Sequence, residues 1–412
     1  MSVRRVKDSE PRGYRTLEVL GPEHEFSVVN EELQPLPIVD GIIRGLCGRV
    51  KSNVYFSDFV FGKELQKHVA ELKPVTPFLS PTDFEETMYG AVLKISDILE
   101  EHDAKLLGLG MHPTLNLEEA EVWNHRDRRI YEVYDRIFNL RQHGWLNIQS
   151  FQLNLPYGNE AEAVNIYNRI AEILPYVPAI SAASPVYGCN FGESVDNRLH
   201  YYAINQSNIP SITGDIIPEY INSFEEYRNL TIRKYSTDLM EANAPKYMIG
   251  KEWINSRGAI IRFDRRAIEI RVMDEQECIK SDVALSCFIR SILRWLTQPH
   301  EERIEYGAIP HRTLVENLNA IIKKGLDARI MHPKYNTARD MCRYLYRNAY
   351  EHALEDEKKY LYIVKKRIED GSLSEAVSGH VKRRMQHTSL KEAIIDVYSE
   401  LSESLKKNAV YE

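Results

Sequence analysis

Four stretches of the chain, read in steps of two, divide into an apolar edge and a polar edge. In GPEHEFSV, His24, Phe26 and Val28 alternate with Glu23 and Glu25. In HVAELKP, Ala70 and Leu72 oppose Val69, Glu71 and Lys73; in SFQLNLPYG, Phe151, Leu153 and Leu155 oppose Gln152 and Asn154. In AIEIRVMDE, Ile268, Ile270 and Val272 oppose Glu269, Arg271 and Met273. A period of two is that of a β-strand with unlike faces. The pattern predicts strands over Tyr14–Val29, Lys67–Lys73, Ala104–Met111, Trp145–Leu155 and Ala259–Met273. Helices are expected between them over Pro81–His102, Asn159–Leu174 and Ser281–Leu296, the first with Asp83, Glu85 and Glu86 near its start, where acids suit the helix dipole.

Beyond Pro299 the strand signal ends. Residues 311–332, 337–368, 372–386 and 389–407 read as amphipathic or charged helices, punctuated by Gly325 and Gly371. The expectation is an α+β domain over residues 1–300 and a helical region over 301–412 packed on it.

The polar edges carry the chemistry. Glu23 and Glu25 lie roughly 7 Å apart on one strand face. Glu23, Glu25, Glu71 and Glu269 on a shared face repel one another unless cations neutralise them. A solvated face accounts for any one strand; for the set, hard cations such as Mg²⁺ or Mn²⁺ are the better match to carboxylate oxygen. RFDRRAIEIRV adds Arg262, Arg265, Arg266 and Arg271, guanidinium groups suited to phosphate or carboxylate. For Arg265 and Arg266 a solvated turn is the plain alternative, and for Arg271 an ion pair with Glu269.

Composition narrows the partners. The 412 residues include 53 basic and 60 acidic ones, a net charge of −7, which offers no general attraction to nucleic acid or an anionic membrane. The N-terminal MSVRRVKDSEPRGYR lacks the apolar stretch of a signal peptide, and no segment has the length of a membrane span. Five scattered cysteines form no CxxC pair, so reduced thiols in a cytoplasmic protein are expected.

The ordered series GPEHEF, KELQKHVAELKP, GMHP, NIQSFQLNLPYG, SAASPVYG, NIPSITGDIIPEYINSFEEY, IEIRVMDEQ and KKGLDARI resembles the type 2 glutamate–cysteine ligases and their carboxylate–amine ligase relatives. The resemblance spans roughly residues 17–380. It implies a glutamine-synthetase-like fold, a curved, mainly antiparallel sheet with helices on one face. It also implies an ATP- and Mg²⁺-dependent (or Mn²⁺-dependent) ligase that forms an amide through an acyl-phosphate, with glutamate as the acid. On this resemblance Glu23, Glu25, Glu71 and Glu269 are metal ligands. Arg262 and Arg271 meet the nucleotide phosphates and the acyl-phosphate, and Arg198 and Glu64 lie on the substrate side. His112 of GMHP reads as a structural histidine in a turn. Small-molecule amino acid and amine substrates and, by analogy, a homo-oligomer complete the expectation.

The chain departs from the family at one strand. Where relatives carry His-x-His with a metal-binding imidazole, it has Gln152-Leu153-Asn154, and Gln152 offers an uncharged amide oxygen instead. A divergent or non-catalytic relative that binds nucleotide or amino acid without ligating them is the alternative. A guanidino kinase and a structural protein assembling through its helical tail are further readings. The acid, the amine and the general base are not fixed by the sequence.

Overall fold

The computed structural model describes residues 13–298 and 309–411, so the expected boundary at residue 300 and most of the N-terminal basic stretch lie outside the described residues. Among the described residues ten strands are formed: β1 Gly21–Val29, β2 Asn53–Tyr55, β3 Phe59–Lys63, β4 Val69–Pro74, β5 Lys105–Leu107, β6 Ser150–Pro156, β7 Val186–Tyr187, β8 Asn190–Phe191, β9 Ala259–Arg262 and β10 Ala267–Asp274. Eight of them make one sheet in the order β2-β3-β4-β1-β6-β10-β9, with β5 paired to the end of β1. Every pairing within it is antiparallel. The remaining two form a small separate hairpin.

One face of the sheet is apolar. Phe26, Leu72, Leu153 and Ile268 are fully buried there, and each contributes about 1.5–3 kcal/mol over an exposed position. Against this face lie the helices Pro81–Glu100, Glu160–Ile173 and Ile279–Thr297. The first begins at Ser80, whose hydroxyl accepts from the Thr82 N–H at 3.1 Å, and continues through Pro81. The C-terminal helices His311–Lys324, Ala338–His352 and Glu355–Asp370 share the same hydrophobic core. Leu373–Arg384 and Leu390–Lys407 cover a second cluster that includes Val29 and Leu107.

Several boundaries differ from the sequence pattern. The first strand starts at Gly21, because a turn at residues 16–17, with Leu17 at a φ of 59°, interrupts the run and Leu20 makes only an isolated bridge to Phe78. Trp145 belongs to a short helix, His143–Leu146, before β6. The long run Ala259–Met273 is a hairpin, turned at residues 263–266 with Arg266 at a φ of 51°. The expected helix 337–368 breaks at Ala353–Leu354, where the Glu357 carboxylate accepts from the Leu354 N–H at 2.6 Å. Strands β2 and β3 are too short to show a period of two.

A register shift in β10 corrects the face assignment of Met273. Ile270 pairs with Leu153, but the next aligned pair is Met273 with Phe151, so one extra residue is accommodated between them. Met273 therefore shares the apolar face with Phe151 rather than that of Glu269. The bulge also brings Asp274 opposite Ser150, on the side of the sheet where Arg198 lies.

Candidate active site

The polar face gathers the expected residues in adjacent strands. Glu25 of β1 is directly opposite Glu71 of β4, and Glu23 is opposite Gln152 of β6. Asn154 of β6 is in turn opposite Glu269 of β10. Carboxylates and amides thus form a band across four neighbouring strands. Beside Glu71 on β3 stands Gly62; a Cβ there would come within 2.8 Å of the Glu71 Oε2 and of the Asn53 Oδ1. Only glycine leaves Glu71 its place.

Cations flank the band unevenly. Glu269 is held by Arg262 at 2.6 Å and by Arg271 at 3.0 Å. Glu23 receives Arg265 at 2.6 Å, and Lys73 contacts Glu71. Glu25 accepts its hydrogen bonds from neutral donors, the Ser150 N–H at 2.7 Å and the Gln152 Nε2 at 3.0 Å. Asn154 likewise turns its amide nitrogen to Glu23, at 2.9 Å, while its Oδ1 is buried without a hydrogen-bond partner.

These surroundings split the carboxyl pKa values. Burial raises Glu25 to about 7, the Ser150 N–H opposing and Glu71 adding to the rise. Burial and the neighbouring Glu25 raise Glu64 to about 7. Burial raises Glu71 to about 8, against the pull of Lys73 and with the push of Glu23 and Glu64. For Glu23 burial also acts upward, yet Arg265 and Lys73 outweigh it and bring the group to about 2. Near neutral pH the band therefore carries protons that an added cation would displace.

Two cavities meet the band at its two ends. An open one of about 630 Å³ borders Glu23, Lys73, Asn154 and Arg265 and is walled by Pro22, Pro74, Pro77 and Pro156. A smaller one of about 160 Å³ borders Glu25, Glu64, Gln152, Arg198 and Arg271, with Trp145, Tyr202 and Trp253 beside them. Arg198 is buried, with its Nε on the Asp274 carboxylate and its Nη2 3.4 Å from the Arg271 carbonyl. His112 is buried too. Its N–H donates to the Asn147 Oδ1 at 2.7 Å, and its Nδ1 accepts from the Thr114 N–H at 3.2 Å, which fits a structural role in the turn. His143 packs against Tyr187 and Tyr201, away from β6.

The sequence pattern missed several participants. Lys73 shares a strand face with Glu71 and could have been selected on that spacing. Arg265 was indistinguishable from a solvated turn residue until β9 and β10 paired. Tyr202 and Asn205 reach the small cavity from the helix Asn197–Ile204 and its cap, and each leaves a buried side-chain oxygen without a partner. No spacing in the sequence announces them.

The fold, an antiparallel sheet covered by helices on one face, is also found in solved ligase structures. The fold matches a glutamate–cysteine ligase of Francisella tularensis in complex with AMP, with a TM-score of 0.59 and 13% identity over 97% of this chain and 91% of that one. It also matches a bifunctional glutathione synthetase of Pasteurella multocida, with a TM-score of 0.54 and 15% identity over 93% of this chain and 51% of that one. An uncharacterized protein of Archaeoglobus fulgidus is 47% identical over 395 residues, 95% of this chain and all of that protein. The sequence profile of glutamate–cysteine ligase family 2 matches residues 19–398, and the chain belongs to that family. It is accordingly a C–N ligase of the carboxylate–amine type.

Proposed function

We propose that the protein is an ATP- and Mg²⁺-dependent carboxylate–amine ligase that activates glutamate as an acyl-phosphate and transfers it to an amine. The observation that carries this reading is the band itself: partly or fully buried carboxyls on adjacent strands, raised to about 7–8, between a larger and a smaller cavity. Hard divalent ions fit these donors, since Glu23, Glu25, Glu71 and Glu269 offer carboxylate oxygens and Gln152 an amide oxygen. The unpartnered Asn154 Oδ1 supports the same fit. When bound, Mg²⁺ would neutralise charge between the nucleotide and the attacking carboxylate.

The chain's own residues do the rest. The open cavity takes the nucleotide, with the proline walls against the base and Lys73 and Arg265 toward the phosphates. The small cavity takes the acid and the amine, with Arg198 and Glu64 on the substrate side. Arg262 and Arg271 stabilise the phosphoryl group as it transfers to the carboxylate oxygen. The amine then attacks the acyl carbon, the acyl C–O bond to phosphate breaks, the nitrogen gives up a proton to the departing phosphate, and the amide forms. Trp145, Tyr202 and Trp253 limit the access of water to the acyl-phosphate.

The test is ADP release with ATP, glutamate and a panel of amines, with Mg²⁺ or with EDTA. Release is expected only with Mg²⁺, and Glu23→Gln and Glu269→Gln are expected to abolish it; full activity in both variants would remove the metal role from these positions. One observation favours a second reading. Gln152 and Asn154 donate amide hydrogens to Glu25 and Glu23 where a metal-binding imidazole was expected. Mg²⁺-dependent ATP binding without ADP release for any acid and amine would establish binding without ligation.

A further inference from the structure

We propose that His24, Glu275 and Asp282 form a second metal site, a structural one for a divalent transition-metal ion of the zinc class, behind the sheet. The three side chains come from β1, from the turn after β10 and from the first turn of the helix Ile279–Thr297. All three are fully buried. His24 projects to the face opposite Glu23 and Glu25, so this cluster is separate from the carboxylate band.

The spacing is that of ligands around an ion. His24 Nδ1 lies 3.1 Å from Glu275 Oε1 and 3.5 Å from Asp282 Oδ2, and one ligand atom from each residue lies within 4.8 Å of the others. Four ligands at zinc bond lengths of about 2.0–2.2 Å stand roughly 3.3–3.6 Å apart at the corners of a tetrahedron. The 3.5 Å contact is too long for a good hydrogen bond. Neither Asp282 oxygen has a hydrogen-bond partner, nor does the His24 Nε2. A carboxylate in that condition, with no access to water, is rare and points to a missing ion.

Charge and surroundings agree. Two carboxylates and a neutral imidazole balance a divalent ion, whereas without one the buried cluster must make up the difference with protons. Phe26, Phe84 and Phe151 stand around the imidazole with ring centres 5.0–5.8 Å away, an apolar shell on that side of the cluster. The nitrogen and oxygen donor set favours zinc-class ions over Mg²⁺, which prefers oxygen alone. His24 Nδ1, Glu275 Oε1 and Asp282 Oδ2 supply three corners, leaving the fourth to a water. The second oxygen of Glu275 accepts from the Glu25 N–H at 3.0 Å, so the ion would brace the strand that carries the band.

The experiment is elemental analysis of the full chain expressed with Zn²⁺ and dialysed against EDTA, with the absorption spectrum of protein expressed with Co²⁺. About one equivalent of Zn²⁺ is expected to remain, unchanged in Glu23→Gln/Glu269→Gln and lowered at least tenfold in Asp282→Asn. Visible Co²⁺ bands of a four-coordinate site are expected in the wild type, an observation that does not depend on any variant folding. A metal-free, cobalt-free wild type would overturn the proposal and leave a proton shared among the three groups. So would an ion lost with Glu23→Gln/Glu269→Gln but kept in a folded Asp282→Asn. Neither result bears on ATP turnover at the band.

Discussion

Glu71 on the sheet and Glu357 among the C-terminal helices are both buried carboxylates, and their surroundings push them in opposite directions. Burial acts upward on Glu357, yet hydrogen bonds and charge from Arg294 and Arg290 hold it below the ordinary range. Arg290 sits 2.6 Å away, Arg294 2.9 Å, and the Ser291 hydroxyl and Leu354 N–H complete its partners. Glu71 has Lys73, but Glu23 and Glu64 crowd it and it rises to about 8. A carboxylate given its own fixed cations serves the fold. Carboxylates crowded together with too few are pushed up in pKa instead, which is the condition the proposed cation site would relieve.

Removing a partner should separate these two cases most sharply at Glu357. Glu357→Gln leaves the buried Arg290 and the partly exposed Arg294 without their counter-charge, and a loss of about 3–5 kcal/mol is expected in a denaturant melt. A loss below 1 kcal/mol would erase the contrast with the band.

Next in size is the pH dependence of the metal-free protein. Glu25, Glu64 and Glu71 have folded pKa values raised from 4.5 to about 7–8. The folded state therefore binds more protons than the unfolded one across that window, and stability falls as pH rises from 4.5 through 8. His24, raised from 6.5 to about 9 with Glu275 and Asp282 overcoming its burial, adds a loss in the same direction at the upper end. Glu23 has the opposite sign, but only between about 2 and 4.5. Melting temperatures over pH 5–8 should fall without Mg²⁺ and flatten with it. A rise with pH in metal-free protein would contradict the crowding of the band.

The smallest effect is expected at Glu64. Glu64→Gln removes one of the crowded charges and should stabilise the metal-free chain at pH 8 by about 1 kcal/mol or less. Destabilisation there would place Glu64 with Glu357 instead.

How much of this was legible in the chain follows from the range of each interaction. The alternation in GPEHEFSV and SFQLNLP fixed which side chains share a face, because strand geometry allows only two faces. The helix Pro81–Glu100 was readable from the acidic residues Asp83, Glu85 and Glu86 near its start. The hairpin at residues 263–266 was hidden in one long β-like run, and the bulge after Ile270 reversed the face of Met273. His24 read as an apolar-face position, and its partners Glu275 and Asp282 lie some 250 residues away in sequence.

The sequence alone determined the period of two, the acidic character of one sheet face, the absence of a strong net charge and the motif order that marks the family. Tertiary structure decided that Glu25 faces Glu71, that Arg265 reaches Glu23, and that Asn154 turns its nitrogen toward a carboxylate. It also decided the pKa values, because desolvation depends on which segments cover the band. Pairing of distant strands sets register, and register sets which charges meet; local pattern carries neither.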